Sequence, residues 1–168
     1  MPPPSHVERN FNYPAAALYV LVADVEAYPA YMPGWRAVRI LHRTGNEAQV
    51  EQVVSLAGLR KQFVSIAYFN PPHRLVIQAD GDLFKHFRLT WNFNEICTGI
   101  TSVCAELELV FRSATMERLA THLMPDMLNP VVAALEHRAA THLIRSPPEN
   151  KPESEANPSK YVAKSSSH

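Results

Sequence analysis

The chain has 168 residues, and its sixteen basic and sixteen acidic side chains give a formal net charge of +0. That balance excludes a whole-molecule field for nucleic acid or anionic lipid, and DNA is not an expected partner. No run approaches the roughly 20 apolar residues of a transmembrane helix, and the length suits one domain with a tail.

The opening MPPPSHVERN has neither an apolar signal core nor the Arg- and Ser-rich amphipathic pattern of a transit peptide. The expectation is a chain that stays, unless trimmed, in the compartment where it is made. Alternation of Val7, Arg9 and Phe11 with His6, Glu8 and Asn10 predicts a first strand ending near Asn12. Pro14 then opens a short helix over 15–23, with Leu18, Leu21 and Val22 on one side. Asp24 is placed to cap a second short helix reaching Tyr28. Beyond Pro29 the segment Tyr31-Met32-Pro33-Gly34-Trp35 is bulky and apolar for a connection. Either it plugs the end of the domain beneath the short helices, or it forms the mouth of a pocket.

From Trp35 the period changes to two. Strands are expected over 35–43, 47–55, 60–69 and 74–79, with turn signals at Thr44-Gly45-Asn46, at Leu56 to Leu59, at Asn70-Pro71-Pro72 and at Asp80-Gly81-Asp82. The last two strands alternate most cleanly. Phe87, Leu89, Trp91 and Phe93 share one face of the first, and Val103, Ala105, Leu107, Leu109 and Phe111 one face of the second. Leu56 and Leu59, followed by Arg60 and Lys61, form a hairpin tip that reads either as a partly buried turn or as a point of lipid contact.

A long helix over 113–144 closes the ordered part. Met116, Leu119, Ala120, Leu123, Met124, Met127, Leu128, Val131, Val132 and Leu135 recur at helical spacing. Ser113 or Thr115 can cap it, and Glu117 suits the positive end of its dipole. Pro125 and Pro130 interrupt it. The unbroken apolar phase favours one bent helix, with a break at Pro130 and an Asn129 cap as the alternative. From Ser146 the composition turns to Pro, Ser, Glu, Lys and Asn, too poor in apolar surface to offset ordering, so a domain over 1–145 and a disordered tail over 146–168 are expected.

Strand, two short helices, six strands and a long helix make an α+β helix-grip architecture. A curved antiparallel sheet of about seven strands surrounds the C-terminal helix, leaving room for a small apolar ligand. Asp24-Val25-Glu26-Ala27-Tyr28-Pro29 with Ala30-Tyr31-Met32-Pro33-Gly34-Trp35, then Asp80-Gly81-Asp82-Leu83-Phe84-Lys85, Trp91-Asn92-Phe93 and His137-Arg138-Ala139 follow a further pattern. In order and register they resemble motifs of the coenzyme Q-binding proteins and their bacterial relatives, the ribosome-association toxins. The resemblance runs from about Val7 to Leu143. The turn at Asp82-Leu83 departs from the Gly-Pro of that family's motif and carries one residue more. The resemblance implies a START-like domain holding an isoprenoid quinone for the respiratory chain, or a protein that blocks ribosomal subunit association.

The candidate cavity lining comprises Tyr31, Met32 and Trp35 from the loop; Phe87, Leu89, Trp91 and Leu107 from the strands; and Leu119, Leu123, Met124, Met127 and Val131 from the helix. The helix stripe is also what a helix-on-sheet core needs, whereas Tyr31, Met32 and Trp35 are harder to explain as core, and the helix methionines suit an adaptable pocket as well as a core gap. No acid–base pair, nucleophile motif or phosphate loop is visible, so no catalytic residue is expected and binding is favoured over turnover. Eight histidines offer no HExxH-type spacing, and Cys97 and Cys104 no CxxC, so no metal site is expected. No cofactor is required, ubiquinone being the expected bound ligand. The expected partners are an isoprenoid quinone or another lipid, a transient membrane contact, or a ribosomal subunit. The expected location is the cytoplasmic side of a bacterial inner membrane or the matrix side of a mitochondrial one. A cyclase-like enzyme on the same fold would need polar groups inside the cavity.

Overall fold

The computed structural model of the chain describes residues 4–143 apart from Ala57; the expected tail over 146–168 lies outside the described residues. β1 (Ser5–Phe11) leads to α1 (Ala15–Ala23), a 3₁₀ turn (Val25–Ala27) and α2 (Tyr28–Tyr31). β2 (Trp35–Thr44), β3 (Glu47–Leu56), β4 (Leu59–Asn70), β5 (Arg74–Ala79), β6 (Phe84–Cys97) and β7 (Ile100–Phe111) follow, and α3 (Ala114–Leu123), a second 3₁₀ turn (Met124–Asp126) and α4 (Leu128–His142) close the chain.

The seven strands form one sheet in the order β1-β7-β6-β5-β4-β3-β2, with every neighbouring pair antiparallel. Consecutive strands from β2 to β7 pair through tight turns, while β1 crosses to the far side of β7. The edges are therefore β1 and β2. Register puts Leu89 opposite Leu107, Trp91 opposite Ala105 and Phe93 opposite Val103, so the apolar alternations of β6 and β7 add to one inner face. Helices cover that face. Leu18 and Val22 of α1 and Leu135 and Ala139 of α4 are completely enclosed, in one core with Trp91 and Leu75. Each of these Leu and Val side chains contributes on the order of 1.5–3 kcal/mol.

Asp24 precedes the first 3₁₀ turn without making a side-chain cap. Its carbonyl holds the Ala27 N–H at 3.1 Å instead, and Glu26 fastens the turn to the sheet edge by accepting from the Ile40 N–H at 3.3 Å. Ser113 does cap α3, its Oγ accepting from the Met116 N–H at 3.4 Å. Glu117 reaches back to accept from the Phe111 N–H at 2.7 Å, which pins α3 to the end of β7.

The expectation of one bent helix is corrected. The chain leaves the α conformation at Met124–Asp126, and α4 starts anew at Leu128, without an Asn129 cap. Pro125 removes the N–H that would bond one turn back. Pro130 takes the third place in α4, where an N–H has no intrahelical partner anyway. The apolar phase survives the break, since Met116 and Ala120 before it and Leu128, Val131, Val132 and Leu135 after it are all buried. No helix among the described residues is long and apolar enough to cross a membrane.

Candidate functional site

The interior divides into two halves. Beneath α1, α2 and the later turns of α4 it is solid: Tyr19 meets Phe93 edge-on at 5.8 Å, and Tyr28 meets Trp35 at 5.6 Å. Beneath the joint between α3 and α4 it is open, with a cavity of about 340 Å³. Its floor is the inner face of β6 and β7, from Phe84, Phe87 and Leu89 to Leu107 and Leu109. One wall is Phe63 of β4 with Val54, Ser55 and Leu56 of β3; Pro33, Gly34 and Trp35 form another. The roof is the helix joint itself, Leu123, Asp126, Met127, Leu128, Pro130 and Val131. A much smaller void of about 10 Å³ lies alongside under α3, against Met116 and Leu119.

Three features hold this space open. An aromatic cluster stiffens the floor, with Phe84 lying 4.9 Å from Phe63, 5.1 Å from Phe87 and 5.0 Å from Phe111. A polar chain fixes Trp35: its indole N–H donates to Gln52 Oε1 at 2.8 Å, Gln52 Nε2 donates to Ser65 Oγ at 2.6 Å, and Ser65 donates to the Val50 carbonyl at 3.3 Å. Gly34 adopts φ +90°, a left-handed conformation costly for a side-chain-bearing residue. Its carbonyl accepts from the Ser55 N–H at 2.8 Å, closing the loop against β3. Ser55 and Asp126 are the two polar side chains in the lining.

The structure brings Trp35, Phe87, Leu89, Leu107, Leu123, Met127 and Val131 together around the cavity. Four other candidates lie elsewhere, and the side chain of Met124 is outside the described residues. Tyr31 ends α2 and turns back toward the helices: its hydroxyl donates to the Leu21 carbonyl at 3.3 Å, and the Arg138 guanidinium lies 4.9 Å from its ring centre. Burial pushes the Tyr31 hydroxyl up, against the opposing pull of Arg138, so it is a neutral tie between helices. Met32 is buried beneath those helices. Trp91 shares its strand face with Phe87 and Leu89 but lies farther along, in the solid half. Leu119 faces the small void. Phe63, Phe84 and Val54 belong to the lining and were not among the sequence candidates, although their positions on alternating strands carry the same inward signal.

Comparison with known proteins agrees with this arrangement. The family described as polyketide cyclase / dehydrase and lipid transport matches residues 11–136. The ribosome association toxin RatA of Pseudomonas aeruginosa is 23% identical over 137 residues, 80% of this chain and 95% of that protein. The mitochondrial coenzyme Q-binding protein COQ10 homolog B of Xenopus laevis is 25% identical over 126 residues, 73% of this chain and 52% of that protein. A START superfamily protein from Mycobacterium smegmatis superposes with a TM-score of 0.70 at 20% identity, covering 82% of this chain and 97% of its own. The fold is START-like.

Proposed function

Because the chain belongs to the polyketide cyclase / dehydrase and lipid transport family, a family whose description spans enzymes and carriers, we propose that it is a carrier. It binds an isoprenoid quinone such as coenzyme Q in the cavity and supports that quinone's delivery for respiratory electron transport. The observation that supports this most is the lining: about 340 Å³ of space faced by aliphatic and aromatic side chains, with Ser55 and Asp126 the polar exceptions. A volume of that order suits a small ligand, here a quinone ring with its first isoprene units, the rest of the tail leaving through the mouth. Each CH₂ buried adds about 0.8 kcal/mol, so affinity needs no specific polar contact. Trp35 is held by a hydrogen bond to Gln52 and a T-shaped contact with Tyr28 and offers a ring on which a quinone stacks. A cyclase would need a paired acid and base in the cavity, and Ser55 with Asp126 does not supply one.

The reading needs no cofactor besides the ligand. Leu59, followed by Arg60 and Lys61, and Leu123 at the cavity mouth stand exposed and offer apolar tips for transient contact with a bilayer. Such a contact supports a location at the cytoplasmic face of a bacterial inner membrane or the matrix face of a mitochondrial one.

The test mixes the protein with quinone-loaded vesicles and follows both quinone transfer and tryptophan fluorescence. A Trp91→Phe background leaves Trp35 as the reporter. Quenching together with extraction supports the reading, and neither signal appearing would sink it. A ribosome-directed role is the second reading, favoured by the chain spanning 95% of the Pseudomonas toxin and 52% of the Xenopus protein. Co-sedimentation with ribosomal subunits tests it directly.

A further inference from the structure

On the outer face of the sheet, away from the cavity, β1 pairs with β7 so that His6 lies opposite Glu106 and Glu8 opposite Cys104. His6 Nδ1 is 3.3 Å from Glu106 Oε1 and 3.5 Å from Cys104 Sγ. The donor atoms of these three side chains all lie within 4.8 Å of one another. One ion with bonds of about 2.0–2.3 Å to nitrogen, oxygen and sulfur reaches donors at that spacing after small rotamer adjustments. The other ring nitrogen of His6 faces Glu8 at 4.0 Å, and Glu8 is held in turn by the Ser102 hydroxyl at 2.8 Å. A small rotation would bring that nitrogen into the hydrogen bond to a carboxylate that orients metal-bound histidines. The side chains of His6 and Glu106 are about half exposed, at 51% and 49%, so an ion and a water have access. Burial, then the nearby Glu106 and Glu8 carboxylates, push the Cys104 thiol up, and a cation would relieve that crowding of negative charge.

We propose that His6, Cys104 and Glu106 form a binding site for a zinc ion, with water in the fourth position. On binding, the Cys104 S–H loses its proton to solvent as the sulfur lone pair bonds the cation, and the imidazole binds through its neutral Nδ1. Because the ligands come from two strands in register, with His6 lying 98 residues from Cys104 in the chain, no sequence spacing announces the site.

Cobalt(II) serves as the probe, titrated into the full chain carrying Cys97→Ser, with a phosphine reductant. The expected result is one equivalent bound, with intense visible bands of a four-coordinate ion, a thiolate charge-transfer band in the ultraviolet, and displacement of both by zinc. His6→Ala and Cys104→Ser each weaken binding by at least about 10-fold, the lower end of what losing an outer partner alone costs. Quinone uptake is unchanged in both. Absence of the thiolate band, or equal affinity in the variants, would overturn the proposal. Should Cys104→Ser prove misfolded by circular dichroism, alkylation of Cys104 in the folded Cys97→Ser protein replaces it, and retained cobalt binding after alkylation likewise overturns the site.

Discussion

Trp35 is the residue on which cavity and sheet meet, and its indole is held through Gln52 rather than by packing alone. Gln52 is 2% exposed, so removing its amide strands the Trp35 N–H and leaves the Ser65 hydroxyl with the Val50 carbonyl as its remaining partner. Gln52→Leu is expected to lower unfolding free energy by about 1–3 kcal/mol, read by urea denaturation, and to weaken quinone quenching because the ring is free to turn. Trp35→Ala should cut quinone binding with a smaller loss of stability, since the side chain is only partly buried. Gln52 was legible in principle: alternation through Ala48, Val50 and Val54 already points position 52 inward, and a polar residue there needs a partner. Trp35 itself could be picked out because an indole in a proline-flanked loop is unusual. Its neighbours Tyr31 and Met32 share that anomaly but owe it to packing among helices, a contact that no local pattern records. Cys104 carries a further expectation at this scale. With its thiol pushed up by burial and by Glu106 and Glu8, its alkylation in a Cys97→Ser background should need a higher pH than the same thiol in the urea-unfolded chain. Equal pH profiles would contradict the structure.

Among the elements, the joint between α3 and α4 decides what the domain can hold. A continuous helix would have laid its stripe flat on β6 and β7; the break leaves Leu123 37% exposed and Met127 half-buried, with the cavity between them and the sheet. Leu123→Lys therefore puts a charge at the mouth without burying it, and is expected to lower quinone retention while the circular dichroism melt hardly moves. Leu107→Lys, deep on the floor, should unfold the protein. Glu117→Ala removes the carboxylate that holds the Phe111 N–H at 2.7 Å. It should cost about 1.5–3 kcal/mol, as hydrogen bonds to charged groups do, and the loss should be visible as a lower denaturation midpoint. Strands β2 to β5 were readable to within a residue because alternation and turn chemistry are local and strong, while β6 runs on to Cys97, past the alternation that ends at Phe93. The helix break was not readable, because the periodicity that signals a helix is indifferent to a short interruption that keeps the phase. Two prolines five positions apart were the better guide.

For the whole molecule, the described core is complete by Leu143, which is packed partly buried against it, with Ala139 wholly enclosed one turn earlier. A chain ending at residue 145 is therefore expected to melt within error of the full one; a clear drop would mean that the last segment contributes to the fold. The architecture itself followed from element order, since one strand, short helices, a meander and a closing helix have few ways to bury their faces. What element order does not show is where β1 belongs, and its place has a consequence in time. Ser5 pairs with Leu107 and Phe11 with Thr101, so the first strand made waits for the last strand made. At ribosomal speeds of about 5–20 residues per second, that wait lasts on the order of 5–20 s. During it the meander β2–β6 can form hairpins and receive α1, but the half of its apolar face that α3 and α4 roof stays uncovered and β6 keeps an open edge. The roof of the cavity, α3 and α4, emerges later still. The cavity is thus enclosed only once α3 and α4 have been made, and a nascent chain stalled before residue 113 should expose Phe87 and Leu89 to chaperones and to any lipid surface nearby.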